Sequence, residues 1–285
     1  KTSPVSPTQH QGRAFSENNT MNNKNFVLGD TAVDFFHTHG FLVIENATPA
    51  EEVSKIRKVY DQLFSERAGR KEGNQYDLAG ADEEDKPAVL PQIVNPISYA
   101  PELEDLVFRK NSAAIGKQLL GPDIEFQGEH AIMKPPEMGQ AAPWHQDEAY
   151  WKGDLEYNSI SVWLALQDTT IENGCMQFIP GSHNQEVLPH RTIGHNPRIH
   201  GLEVIAEDVD LSDAIACPVP AGGATIHHCR TLHYTGPNQT GDIRRAYIHT
   251  WASPYRKRNV ARDFYWQKTR ETARDERRRK AGTVS

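Results

Sequence analysis

The sequence predicts a mainly-β fold, a barrel or sandwich that carries helices on one side. Three observations predict it. Helical signals gather in the first 120 residues. After Gly121 the chain changes to short apolar runs separated by Pro, Gly and Asn, the texture of strands joined by turns. No internal repeat or low-complexity linker divides the 285 residues, a length at which β barrels and sandwiches still form one domain.

In chain order, residues Lys1 to Thr20 are polar and aperiodic. They read as a disordered arm or an expression remnant ahead of Met21. Residues 21–255 are expected to be a single domain. Asp30 to His39 reads as a short helix stopped by Gly40, and Phe41-Leu42-Val43-Ile44 as a buried strand. Thr48-Pro49-Ala50-Glu51 is a helix start, with Thr48 as cap and Pro49 at the first helical position. That helix places Val53, Ile56, Val59, Tyr60 and Leu63 on one face as it runs to about Arg67. Ala68 to Asn95 is rich in Gly and Asp and reads as one long irregular loop. Pro101 to Leu120 reads as a helix. The strands expected beyond it are Ile124 to Lys134, Ser159 to Gln167, Met176 to Ile179, Gly223 to His228 and Arg244 to Trp251. Residues 256–285 read as a charged helix or tail with a solvated face.

Composition narrows the function. A net charge of −7 argues against nucleic acid or an anionic membrane as partner. No apolar stretch approaches a membrane span. Three scattered cysteines, Cys175, Cys217 and Cys229, fit a reducing compartment, so a cytoplasmic location is expected. No obligate protein partner is evident.

The chemistry centres on Pro143-Trp144-His145-Gln146-Asp147. Residues two apart in a strand project to the same side, so His145 and Asp147 can face one ion. A second imidazole would complete the two-histidine, one-carboxylate face that suits iron(II) and leaves positions open. Alone, His-x-Asp is a weak signal. A second segment, Thr231-Leu232-His233-Tyr234-Thr235-Gly236-Pro237-Asn238-Gln239-Thr240, is followed by Arg244, eleven positions beyond His233. His227 and His228 are further candidate ligands, but no Thr-Gly-x-Asn turn follows them.

Together these motifs resemble the phytanoyl-CoA dioxygenase family of iron(II)- and 2-oxoglutarate-dependent oxygenases. Lys134-Pro135-Pro136, Trp163, Asn173-Gly174-Cys175 and Pro180-Gly181-Ser182-His183 also look like it, and the likeness covers roughly residues 30 to 252. The resemblance implies a double-stranded β-helix core (jelly-roll, cupin-like) with flanking N-terminal helices. It implies His145, Asp147 and His233 as ligands of Fe(II), with 2-oxoglutarate and O2 as co-substrates. Arg244 would pair bidentately with the distal carboxylate of 2-oxoglutarate, and Thr235 would add a hydroxyl bond. Arg245 competes for that role, but strand alternation sends neighbours to opposite faces. His130 and Trp163 would border the co-substrate, with Gln127 on the same strand as His130 facing the pocket.

Of the remaining histidines, His183 suits a loop hydrogen bond, while His190, His195 and His200 fall in an insert that could cover the pocket. Tyr150 and Trp151 follow the His-x-Asp closely enough to touch substrate. Because halogenating relatives replace the carboxylate ligand with a small residue, Asp147 favours hydroxylation of a C–H bond, with release of succinate and CO2. The acids between Glu72 and Asp85 argue for a small neutral or cationic substrate, a secondary metabolite, over a CoA thioester. The alternatives are an acyl-CoA 2-hydroxylase of the phytanoyl-CoA type and a non-catalytic cupin-like metal-binding protein.

Overall fold

The computed structural model describes residues 26–205 and 209–282; the expected N-terminal arm lies outside them. Helix α1 (Asp30–His39) leads into β1 (Phe41–Ile44) and α2 (Ala50–Ser65). Then come β2 (Gln75–Asp77), β3 (Pro91–Val94), α3 (Val107–Leu120), β4 (Glu125–Lys134) and β5 (Ala142–His145). The middle of the chain forms β6 (Leu155–Glu156), β7 (Ser159–Ala165), β8 (Met176–Phe178), β9 (His190–Thr192) and β10 (Leu202–Val204). It closes with β11 (Ile215–Cys217), β12 (Ala224–His228), β13 (His233–Thr235), β14 (Arg244–Ala252), β15 (Arg256–Lys257) and α4 (Ala273–Lys280). Among the described residues, no helix is long and apolar enough to cross a membrane.

Two antiparallel sheets carry the architecture. The larger has seven strands in the order β1-β12-β7-β14-β4-β3-β2, and the smaller has four in the order β11-β8-β13-β5. Strand alternation sorts the larger sheet into two faces. Leu42, Ile44, Ile160, Val162, Leu164, Ile226 and Tyr247 point outward and pack under Phe36, Ile56, Tyr60, Leu63, Phe108 and Ile115 of the three N-terminal helices. Phe41, Val43, Trp163, Ala165 and Ala246 point inward against Met176, Phe178 and Cys217 of the smaller sheet. This is the jelly-roll arrangement, with the three N-terminal helices together on one side. Burying each such large apolar side chain contributes roughly 1.5–3 kcal/mol.

The structure departs from the sequence expectations in several places. The helix expected from Pro101 begins only at Val107, after a separate 3-10 turn at Pro101–Leu103. Thr48 does not cap α2, which starts after Pro49. Its hydroxyl donates instead to the Glu52 carboxylate, which accepts the Val107 and Phe108 amides and so caps α3. The segment expected to be one irregular loop contains β2 and β3, which extend the large sheet at its edge; short strands flanked by Gly and Asp leave little periodic signal. The C-terminal segment is not a solvated tail. Trp266 is buried and donates its indole N–H to Ala149 O at 3.0 Å, and Gln267 bonds the carbonyls of Ala149 and Trp151. Two aromatic anchors, Phe264 and Trp266, outweigh the surrounding charge and pin the segment down.

Candidate active site

β13 lies between β8 and β5, and its pairing with β5 sets His233 directly opposite His145. β5 ends at His145, but Gln146 stays extended, so the alternation carries through to Asp147 at the start of a short 3-10 turn. One ligand atom from each of His145, Asp147 and His233 lies within 4.8 Å of the others. Asp147 Oδ1 stands 3.5 Å from His233 Nε2 and 3.9 Å from His145 Nε2.

The protons on these groups are arranged for a cation. His145 Nδ1 donates to Pro143 O at 2.7 Å and His233 Nδ1 to Thr231 O at 2.9 Å. Each neutral ring therefore turns an unprotonated Nε2 to the centre. Burial holds both imidazoles below their usual range, reinforced at His233 by His145 and His227 and opposed at both by Asp147. Burial alone would push the Asp147 carboxyl up, but His233, His227 and His145 more than offset it and keep it ionised. Two neutral nitrogens and one carboxylate form the facial donor set that suits iron(II).

Two residues hold the carboxylate: Ser161, which the sequence did not mark, and His227, a candidate ligand from sequence that serves a different role. Ser161 Oγ donates to Asp147 Oδ2 at 2.8 Å, and His227 Nε2 donates to the same oxygen at 3.2 Å. Both sit on inward positions of the large sheet, facing the smaller one. His227 thus supports a ligand with the nitrogen it would need to be one. His228 points to the other side, where its Nδ1 accepts the Arg230 amide.

Next to the triad lies a buried cationic pocket. Arg244 is 1% exposed, and its guanidinium carbon stands 5.3 Å from the centre of the Trp163 ring. Its Nε and Nη1 find no partner. Burial lowers its pKa to about 9, with Cys175 and Tyr60 opposing. Lys134, fully buried, faces Arg244 across the β4–β14 ladder and donates to the carbonyls of Thr235 and Gly236. Buried charge without a counter-ion is costly. Arg244, buried with no carboxylate paired to it among the described residues, fits the distal carboxylate of 2-oxoglutarate. Lys134, held well below its usual pKa by burial and by Arg244, lies beside it. Arg245 is excluded: it points to the opposite face and pairs with Asp61 of α2.

The turn after His233 shapes this pocket. Asn238 Nδ2 donates to the carbonyls of Lys134, Pro135 and Asp242, while its Oδ1 accepts from the Thr240 amide and hydroxyl. Gly174, at φ +85°, lies so close that a Cβ there would sit 2.3 Å from Gly236 O. The Asn-Gly-Cys, Lys-Pro-Pro and Thr-Gly-Pro-Asn motifs are therefore parts of one contact.

Of the other expected residues, Thr235 and Trp163 are buried beside Arg244 on inward positions. His130 is on the metal side, where burial lowers its pKa to about 4 with Asp147 opposing and Arg274 adding to the fall. Gln127 is not in the pocket. The β4–β14 ladder bulges beside it, and its exposed amide accepts the Tyr255 hydroxyl. Tyr150 sets its ring 6.0 Å from that of His145, whereas Trp151 packs on Tyr157. His183 donates to His37 O and fills the space left by Gly40, as its loop role required.

Comparison with known proteins gives this geometry a context. Residues 36–246 match the model of the family described as phytanoyl-CoA dioxygenase (PhyH). A probable alpha-ketoglutarate-dependent hypophosphite dioxygenase from Stutzerimonas stutzeri is 28% identical over 211 residues, covering 73% of each chain. The peroxisomal phytanoyl-CoA dioxygenase of Homo sapiens is 24% identical over 77% of this chain and 67% of its own. Among solved structures, EvdO2 from Micromonospora carbonacea var. aurantiaca is 37% identical with a TM-score of 0.74, covering 84% of this chain and 97% of its own. Its complex with 2-oxoglutarate matches with a TM-score of 0.72. The carbocyclase SnoK from nogalamycin biosynthesis, 23% identical with a TM-score of 0.63, shares the fold over 85% of this chain and 90% of its own. With its triad, the chain belongs to the phytanoyl-CoA dioxygenase family and is an iron(II)- and 2-oxoglutarate-dependent dioxygenase.

Proposed function

We propose that this dioxygenase hydroxylates an unactivated C–H bond of a small molecule in secondary metabolism, with release of succinate and CO2. His145, Asp147 and His233 are the metal ligands in this reading, and Arg244 binds the distal carboxylate of 2-oxoglutarate. The observation that carries it is the pairing of a complete triad, carboxylate included, with a buried guanidinium whose Nε and Nη1 have no hydrogen-bond partner. Iron(II) with 2-oxoglutarate supplies the O2-dependent oxidation when bound. The protein holds His145 and His233 in the tautomer that leaves Nε2 free, keeps Asp147 ionised, and anchors the co-substrate through Arg244, Thr235 and the Trp163 wall. A carboxylate at position 147 keeps halide off the metal and so favours hydroxylation. SnoK, which shares the fold, acts in nogalamycin biosynthesis.

The test is a screen of small natural products and CoA thioesters for enhanced O2-dependent succinate formation by the iron-loaded enzyme, with a search for the oxygenated product. Stimulation by free small molecules with a hydroxylated product supports the reading. Turnover of CoA thioesters alone overturns the substrate class. Unchanged substrate-free succinate formation in both His145→Ala and Arg244→Ala overturns the site.

A further inference from the structure

Three segments far apart in sequence close the pocket beyond the metal ligands. Tyr150 stands beside His145, and His200 stacks on Tyr150 with ring centroids 6.0 Å apart. Tyr76 of β2 meets the His200 ring edge-on at 4.8 Å. Gln92 of β3 then links the Tyr76 hydroxyl, at 2.6 Å, to His130 Nδ1, at 3.1 Å. The chain of contacts thus runs from His145 outward and back to His130 on the metal side.

The C-terminal segment adds two half-buried arginines to this wall. Arg270 lies over the Tyr150 ring, its Cζ 5.8 Å from the centroid, and donates to His200 O at 3.2 Å. Arg274 lies 4.3 Å over the Tyr76 ring and donates from Nη1 to His200 Nε2 at 3.1 Å and from Nε to Gly73 O at 3.1 Å. Among the described residues, no carboxylate forms an ion pair with either guanidinium. Their neighbours differ: Arg277 holds Asp82, Arg262 holds Glu148 and Arg198 holds Glu276.

His200 completes the donor set. Burial, with Arg274 and Arg270 adding to it, holds this imidazole well below its usual range, so it is neutral. Because Nε2 accepts from Arg274, its proton sits on Nδ1, which is buried and has no partner. An orphaned buried donor beside two unpaired cations calls for an acceptor. Within the acid-rich loop, Asp82 and Glu84 pair with Arg67, Arg70 and Arg277, and Glu83 pairs with Lys86. Asp82 and Glu84 are therefore not free to pair with a cationic substrate.

We propose that Arg270, Arg274 and His200 recognise an oxyanion on the substrate: a carboxylate, sulfonate or phosphate. This deepens the function proposed above and rests on it. The anionic group docks on the C-terminal arginines, and the rest of the molecule extends past Tyr150 towards His145 and Asp147, where oxidation occurs.

The test is calorimetric binding to the full chain loaded anaerobically with Mn(II) and saturating 2-oxoglutarate, which occupies Arg244. The probes are 3-phenylpropionate and phenylphosphonate, with 3-phenylpropionamide as the neutral counterpart. The expected result is binding of the anions at least about tenfold tighter than the amide. Arg270→Gln and Arg274→Gln each lose about tenfold, and Arg274→Lys recovers part of the loss at an unchanged melting temperature. Arg277→Gln, which alters a paired arginine of the same helix, keeps the anion preference. Equal binding of acid and amide, no binding at all, or a preference that survives both glutamine variants overturns the proposal. Substrate-free succinate formation by the wild-type enzyme is measured in parallel. Its absence would sink the parent reading; its presence with no anion preference sinks this one alone.

Discussion

The two ends of the pocket are built differently. The proposed co-substrate end is made from strand positions: His145, His233, Thr235, Trp163 and Arg244 all project from paired strands into the space between the sheets. Backbone hydrogen bonds fix where each can point, and a one-residue slip would turn every group outward. The proposed substrate end is made from an edge strand, a long insert and the C-terminal segment, joined by side-chain bonds such as Arg274 to His200 and Arg277 to Asp82. Chemistry common to a family belongs on the first kind of scaffold, and selectivity that varies between members belongs on the second.

Several measurements would break or sharpen this contrast. The largest effect is expected at the metal ligands: Asp147→Ala should reduce succinate formation to background, since it removes the anionic ligand. Next, Arg244→Gln should raise the 2-oxoglutarate concentration needed for half-saturation about 100-fold, the loss of two charge-assisted hydrogen bonds worth roughly 3 kcal/mol together. His227→Ala should weaken metal affinity by roughly 10–100-fold, read from metal titration, because it frees a carboxylate oxygen without removing a ligand. Asn238→Ala should lower folding stability by on the order of 1–3 kcal/mol in urea unfolding, because it removes one hydrogen bond from each of three carbonyls.

The smallest effect is a pH dependence that belongs to the scaffold. His190 is fully buried, accepts the Gln146 amide on Nε2 and donates from Nδ1 to Leu188 O. Burial lowers its pKa to about 4, with the Leu188 bond opposing and His145 adding to the fall. Between pH 4 and the ordinary histidine value of about 6.5, the unfolded chain binds the proton and the folded chain does not. Its contribution to stability is therefore present above about pH 6.5 and is lost as pH falls towards 4. His190→Gln should flatten that part of the stability profile; an unchanged slope would show that His190 does not titrate on unfolding.

How much of this was legible follows the same division. The triad could be read from sequence because strand alternation brings His145 and Asp147 to one side and the family resemblance supplies His233. The same resemblance pointed to Arg244, which is buried beside Trp163. Ser161 and His227 could not, since their approach to Asp147 depends on which strands lie side by side. Gln127 was misplaced because a bulge breaks the alternation that the reading assumed. The C-terminal arginines looked solvated because charge density hid Phe264 and Trp266, whose burial brings Arg270 and Arg274 over the pocket. Nothing in the local sequence marks Arg274 as different from Arg277; only the partner across the fold does.

The central claim is that one face of three side chains holds iron while Arg244 holds the far end of 2-oxoglutarate. Anaerobic titration of 2-oxoglutarate into the iron(II)-loaded protein, followed by the visible charge-transfer band of the chelated keto acid, tests it most directly. The account predicts a saturable band in the wild type, no band in His145→Ala, and a normal band at much higher 2-oxoglutarate in Arg244→Gln. A wild-type band that forms with the same half-saturation in both variants would contradict it.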